Sequence, residues 1–457
     1  MRNKQPRLVI AGTHSGAGKT SVVTGVLAAL RGRGIPLYPF KTGPDYIDPA
    51  FHAHVAGTPS RNLDSWLLDS QTLRGLFARN TDVCGIAVIE GVMGLFDGKG
   101  AGHEGSTAHV AELLDAPVVL VVNAEGLSRS AAAMVAGYAS FQPGVSVRGV
   151  IANRIKSERQ YALIRESVEE ACGIPCLGYL PDDPACTLRN RHLGLIPPAE
   201  TPALDAVVEK LGKSVAANID LDGLIALAQA APPLPRGTLP APAASCSVRL
   251  GVARDEAFSF YYQDNFDCLA DMGAELVFFS PLRDAALPGD IHGLYLGGGF
   301  PEIFAEQLME NEAMRRAVRE AAALGLPLYA ECGGMAYVCA SLTDAGGREF
   351  SMAGVFPHHV AMTGNLQRFG YAEVEFLRDT ALGPAGSRVR AHEFHYSRLV
   401  DEGGDACLRM RKDTVSWTGG LATKNVLAAY PHIHFYSNPA LARNFLARCA
   451  AFKGKRA

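Results

Sequence analysis

Leu8-Val9-Ile10-Ala11-Gly12-Thr13-His14-Ser15-Gly16-Ala17-Gly18-Lys19-Thr20-Ser21 is an apolar run that breaks into a glycine-rich turn and resumes as a helix-forming stretch. Residues 7–11 are short and rich in β-branched side chains, which predicts a buried strand. Residues 19–31 place apolar side chains at helical spacing. A glycine-rich loop between the two exposes backbone N–H groups at a helix N-terminus, where the dipole favours phosphate. Lys19 can then reach terminal phosphates, and the Thr20 hydroxyl suits Mg2+. The predicted nucleotide site is therefore Gly12, Thr13, Ser15, Gly16, Gly18, Lys19, Thr20 and Ser21. Gly12 lies six residues before Gly18, one more than in the standard phosphate loop, and Thr13 stands where a glycine is expected.

Outward from this loop the same alternation continues. Residues 85–89, 116–122 and 147–152 read as further strands, with helical periodicity between them, as at 130–140. Strand–helix alternation predicts a parallel, doubly wound sheet for residues 1–230. Residues 231–245 hold five prolines, which exclude helix and central strand, so 231–247 is expected to be a linker. The pattern restarts at 248–253, 276–279, 293–296 and 326–330, which predicts a second α/β domain over 248–457. No internal repeat is visible.

A triphosphate site needs Mg2+, which is held by one or two carboxylates together with phosphate oxygens and water. Asp45 and Asp48 lie in 41–49, and Glu90 and Asp97 in 88–98. Glu90 ends an apolar strand, where ligands of open α/β sheets bind. Thr20, Asp45 and Glu90 are the expected metal-holding set. Asp45 and Asp48 also fit a plain turn-forming role. Asn153, at the end of another strand, suits adenine recognition or an ordinary loop role equally.

In the second half, strand 326–330 runs into Glu331-Cys332-Gly333-Gly334-Met335. Small residues on both sides permit a tight strand-to-helix turn that presents Cys332 at a helix N-terminus, a setting that favours thiolate. Tyr430-Pro431-His432-Ile433-His434 supplies two histidines on opposite faces of a strand, of which one can face Cys332. The glycines at 297–299 offer backbone N–H groups to an oxyanion. Together these are the parts of thiol-based acyl transfer.

Bulk properties set the class. With 48% hydrophobic and 19% charged residues among 457, and a formal charge of −3, the chain reads as globular and not as a nucleic-acid binder. The ten cysteines are scattered and fit reduced thiols, not a disulfide framework. No apolar run approaches a membrane span or a signal-peptide core, so a soluble cytoplasmic protein with no membrane partner is expected.

The lengthened loop resembles the dethiobiotin synthetase and amidoligase branch of phosphate-loop proteins. Across nearly the whole chain, the stretches 12–21, 41–49, 90–98, 255–265, 279–281, 297–302, 330–334, 392–397 and 432–439 resemble the cobyrinate (or hydrogenobyrinate) a,c-diamide synthases. That resemblance implies a dethiobiotin-synthetase-like amidoligase domain followed by a class I glutamine amidotransferase-like domain. It implies that Cys332 attacks the amide of glutamine, that His432 activates it with His434 as the second candidate, and that no third carboxylate completes the pair. It implies that ATP phosphorylates a carboxylate of a tetrapyrrole polycarboxylate, which ammonia then amidates. Asp45, Asp48, Glu90 and Asp97 correspond to the acidic residues that hold Mg2+ and position substrate. Ser259 stands where Asn is usual, Pro431 where Thr is common, and Gln367-Arg368-Phe369 precedes Gly370-Tyr371. These departures leave sirohydrochlorin, nickel-sirohydrochlorin and siroheme as alternative substrates. A ParA-like regulatory ATPase is the reading from a different class, and oligomeric state is left open.

Overall fold

The computed structural model describes residues 4–186, 190–191, 194–195, 204–240, 247–400 and 406–456. It divides into two compact units, 1–239 and 240–457. Part of the expected linker, 241–246, lies outside the described residues. The residues just before it are bonded into the first unit: Arg7 donates to the Pro232 carbonyl at 2.7 Å and Thr238 N to Gln71 O at 3.2 Å.

In the first unit, seven strands form one sheet in the order Arg61–Leu63, Leu37–Thr42, Ile86–Glu90, Arg7–Gly12, Val118–Asn123, Val147–Ile155, Cys176–Pro181. Every pairing in it is parallel. All six residues of Arg7–Gly12 are buried, as expected for a strand covered on both faces. The chain leaves this central strand for one side of the sheet and later returns to build the other. Its carboxyl end is therefore a topological switch point, the usual ligand position in such sheets. The strands Leu37–Thr42, Arg61–Leu63 and Cys176–Pro181 add to those expected from the sequence.

The second unit has its own sheet, ordered Ala274–Phe279, Val248–Ala253, Gly293–Leu296, Leu328–Glu331, Val426–Ala429, Leu421–Ala422. Its pairings are parallel except at the last strand. A five-stranded antiparallel sheet joins Arg368–Phe376, Arg388–His395 and His432–Ile433 with Leu408–Lys412 and Val415–Gly419. The strand alternation of 248–330 gives no sign of this second sheet. Among the described residues no helix is long and apolar enough to cross a membrane, and the nine cysteines are free thiols.

Candidate functional site

At the switch point of the first unit, the loop after Arg7–Gly12 is bent by two glycines, Gly16 (φ 86°) and Gly18 (φ 93°). A β-carbon on Gly18 would come within 1.9 Å of Asn153 Nδ2. That amide nitrogen donates to Ala17 O at 2.9 Å. Asn153 therefore clamps the loop from the neighbouring strand, a role beyond the two weighed from its position in the sequence. Lys19 folds over the loop and donates to Met93 O at 2.5 Å. Burial, then the neighbouring Lys41 ammonium, lowers Lys19 to about 8.

The ends of adjacent strands carry the charges. Lys41 and Glu90 lie side by side in parallel register. Lys41 Nζ donates to Asp48 Oδ2 at 2.6 Å and to Glu90 Oε1 at 2.9 Å. Thr20 Oγ1 donates to the same Glu90 oxygen at 2.8 Å and is 3.4 Å from Asp48 Oδ2. The other Glu90 oxygen is 2.6 Å from His52 Nε2, and both groups are fully buried. Burial alone would raise Glu90, but Lys41 and His52 outweigh it and hold the group as a carboxylate. Burial likewise works against Lys41, and Asp48 and Glu90 reverse it, so Lys41 is raised and stays charged.

Asp45 Oδ1 accepts from Ile47 N at 2.9 Å and Asp48 N at 3.1 Å, which starts the helix Ile47–Ala56. Asp45 Oδ2 is 3.9 Å from Lys41. Asp97 accepts from Gly94 N at 2.9 Å and so braces the turn that follows the Lys19 acceptor Met93. A cavity of about 510 Å³ opens onto Ser15, Lys19, Thr20, Asp45, Asp48 and Glu90. Its oxygen donors fit a hard divalent cation, which takes one or two carboxylates and a hydroxyl beside phosphate.

In the second unit, the strand Leu328–Glu331 turns at Cys332 (φ 47°, ψ −103°) into the helix Gly333–Val338. A non-glycine residue in this region is strained and is held there by its surroundings. Cys332 N donates to Ala429 O at 2.8 Å and Gly334 N to Gly297 O at 2.9 Å. A β-carbon on Gly334 would lie 2.3 Å from Leu296 O, so the elbow requires glycine there. The thiol is half-buried. Burial, then Glu302, pushes it up to about 12 against the Gly333 N–H, so the resting group is a thiol. This corrects the expectation of a dipole-stabilised thiolate: the helix is six residues long and desolvation wins.

His432 packs on the glycine turn, since a β-carbon on Gly298 would sit 2.5 Å from its Cε1. Its Nδ1 is 3.8 Å from Glu331 Oε2, with both groups buried. Burial, then His395, lowers His432 to about 3, so it is a neutral imidazole. His434 points elsewhere, 3.7 Å from Asp264. Asn265 fixes this segment, donating to Ile433 O and accepting from Phe435 N, each at 2.7 Å.

Glu331, to which no role was given from the sequence, accepts from Tyr295 OH at 2.9 Å and Ile433 N at 3.1 Å, and also from Tyr329 OH. Its burial raises it to about 7 against these donors. Of the glycine turn, Gly297 N is already engaged by Tyr261 OH at 2.7 Å. Lys41, His52 and Glu331 are the groups that sequence reasoning left without a role. Two signals bore on them: His52 stands four residues after Asp48 on one helix, and Glu331 is a charge ending a buried strand.

Residues 8–195 match the family model of the CobQ/CobB/MinD/ParA nucleotide binding domain, and residues 249–440 that of the CobB/CobQ-like glutamine amidotransferase domain. A cobyrinate a,c-diamide synthase of Caldanaerobacter subterraneus subsp. tengcongensis is 42% identical over 449 residues, covering 98% of this chain and 99% of the relative. One of Listeria innocua is 43% identical over 443 residues, covering 95% and 97%. One of Methanothermobacter thermautotrophicus is 42% identical over 447 residues, covering 96% and 98%.

Proposed function

The chain belongs to the cobyrinate a,c-diamide synthase family, and from that membership we propose that it amidates the a- and c-acetate carboxylates of cobyrinate or hydrogenobyrinate, using ATP and glutamine. It is a carbon–nitrogen ligase with glutamine as nitrogen donor. The observation that carries this reading is the strained Cys332 elbow packed with His432 against one glycine turn. The phosphate loop of the first unit alone would fit a regulatory ATPase equally well.

A carboxylate is a poor acyl donor, because hydroxide is a poor leaving group. Phosphorylation by ATP converts the substrate acid into an acyl phosphate, which ammonia attacks with loss of phosphate. Lys19 and the loop amides hold the phosphates, and Lys41 fixes Asp48 and Glu90 in position. Mg2+, held by Thr20 and Glu90 with Asp45 close by, would neutralise charge on the transferred group. Asn153 sets the shape of the loop and is our candidate for contact with the adenine. Asp45, Asp48 and Asp97 are the remaining acidic groups for holding substrate and metal.

In the second unit the neutral thiol gives its proton to His432 as sulfur attacks the glutamine amide. His432 then returns that proton to departing ammonia, and water, deprotonated by the same imidazole, hydrolyses the γ-glutamyl thioester to release glutamate and restore the thiol. Against the expectation that no third carboxylate completes the pair, Glu331 lies 3.8 Å from His432 Nδ1 and is our candidate for stabilising the transient imidazolium. The amides of Gly298 and Gly299 are the remaining candidates of the turn for binding the oxyanion. A cytoplasmic setting keeps such a thiol reduced.

The test is nitrogen supply. Cys332→Ala is expected to lose glutamine-supported synthesis and glutamate release while retaining synthesis from added ammonia. Equal glutamate release by the variant and the wild type would contradict the reading. Assays with cobyrinate, hydrogenobyrinate, sirohydrochlorin, nickel-sirohydrochlorin and siroheme side by side decide the substrate.

A further inference from the structure

A second cavity of about 370 Å³ in the second unit plays no part in the mechanism above. Its lining includes Tyr430 and Pro431, which immediately precede His432, together with Arg368, Glu393, His395 and Trp417. The strand Arg388–His395 runs beside His432, with His392 directly opposite it. The cavity thus borders the strand paired with the one that carries His432.

Glu393 is the unusual group. It is 2% exposed, and its Oε2 has no hydrogen-bond partner among the described residues. Burial raises Glu393 to about 7, against the nearby Arg368 and a hydrogen bond from Trp417, both of which favour its charged form. The residue paired opposite Glu393 across the sheet is Gly370, which brings no side chain to answer it. A buried carboxylate oxygen left without a donor is costly unless a ligand completes it. The electrostatic influence of Glu393 also reaches Cys332, so cavity and sulfur share one neighbourhood. The fitting partner for a lone carboxylate oxygen is an ammonium group, through a charge-assisted hydrogen bond.

We propose that Glu393 binds the α-ammonium group of the nitrogen-donor amino acid, with the amino-acid head in this cavity and its side-chain amide at Cys332. Glu393 is thereby a specificity residue for a free amino acid, as against any other carboxamide. The proposal rests on the glutaminase reading of Cys332 and goes beyond it.

The test compares glutamine with 5-amino-5-oxopentanoate, which keeps the amide and a carboxylate but lacks the ammonium. With the full-length wild-type protein, kcat/KM for hydrolysis of the analogue is expected to be about 100-fold lower, the value of a charged hydrogen bond left unmade. Equal values within about twofold would overturn the proposal. Glu393→Gln is expected to raise KM for glutamine by about 100-fold while changing that for the analogue less than about threefold, since the coupling needs both partners. An equal rise for both compounds would assign Glu393 a structural role and overturn the proposal. The wild-type comparison stands even where the variant does not fold. Failure of the wild type to hydrolyse either compound would instead sink the glutaminase reading, and this proposal with it.

Discussion

The first unit buries opposite charges together, and the second buries neutral groups that the proposed reaction would charge only in passing. At the carboxyl edge of a parallel sheet the Lys41 ammonium donates to both Asp48 and Glu90, and the other Glu90 oxygen meets His52. Cys332 and His432 are driven by burial to their neutral forms. The difference follows the ligands proposed for each. A triphosphate and its metal bring fixed charge, so a standing array of charges suits them. A carboxamide is neutral, and charge develops only as sulfur attacks.

Breaking the standing array should have the largest effect. Lys19→Ala is expected to lower synthesis about 1000-fold, or about 4 kcal/mol, from either glutamine or ammonia. Full ammonia-supported synthesis by this variant would count against phosphorylation in the first unit. Next in size is Gly334→Ala, where the added methyl meets Leu296 O. A loss of about 3 kcal/mol in unfolding free energy of the second unit is expected by denaturant titration, and no change in midpoint would mean the elbow tolerates a side chain.

Glu331→Gln probes how the second unit handles its transient charge. Glutaminase kcat should fall about 100-fold, or about 2.7 kcal/mol. The sign of the pH effect follows from its raised value: below about 7 the carboxyl is protonated and cannot face an imidazolium. Wild-type activity should therefore climb as pH rises through about 7, and the variant should lack that limb. A variant with the wild-type profile would remove Glu331 from the mechanism. Smallest is His52→Ala, which withdraws one partner from Glu90. A rise of about tenfold in KM for ATP, or about 1.4 kcal/mol, is expected, and an unchanged KM would make His52 a packing residue only.

The loop at 12–21 and the elbow at 330–334 were legible because each is encoded by neighbours in sequence. Glycine positions, a lysine and a small-residue turn name the chemistry without any distant contact. Four parallel strands of each unit were legible because buried strands read as continuous apolar runs, whereas Leu37–Thr42, Arg61–Leu63, Cys176–Pro181 and Val426–Ala429 were missed. The Lys41–Glu90 pair was not, because it arises from the register of two strands 49 positions apart. Glu331 was hidden differently. It stands next to Cys332, yet its role comes from Tyr295, Tyr329 and the backbone at Ile433. The antiparallel sheet over 368–433 was also missed; its strands mix buried residues with exposed charged ones, as Leu408–Lys412 shows.

The most direct test of the whole account follows the nitrogen atom. Wild-type protein with ATP, Mg2+, cobyrinate, glutamine labelled with heavy nitrogen at the amide, and unlabelled ammonium at equal concentration should give a diamide carrying label at both new positions, with one ADP formed per amide. A product that takes its nitrogen mainly from ammonium, or that forms without ADP, would contradict it.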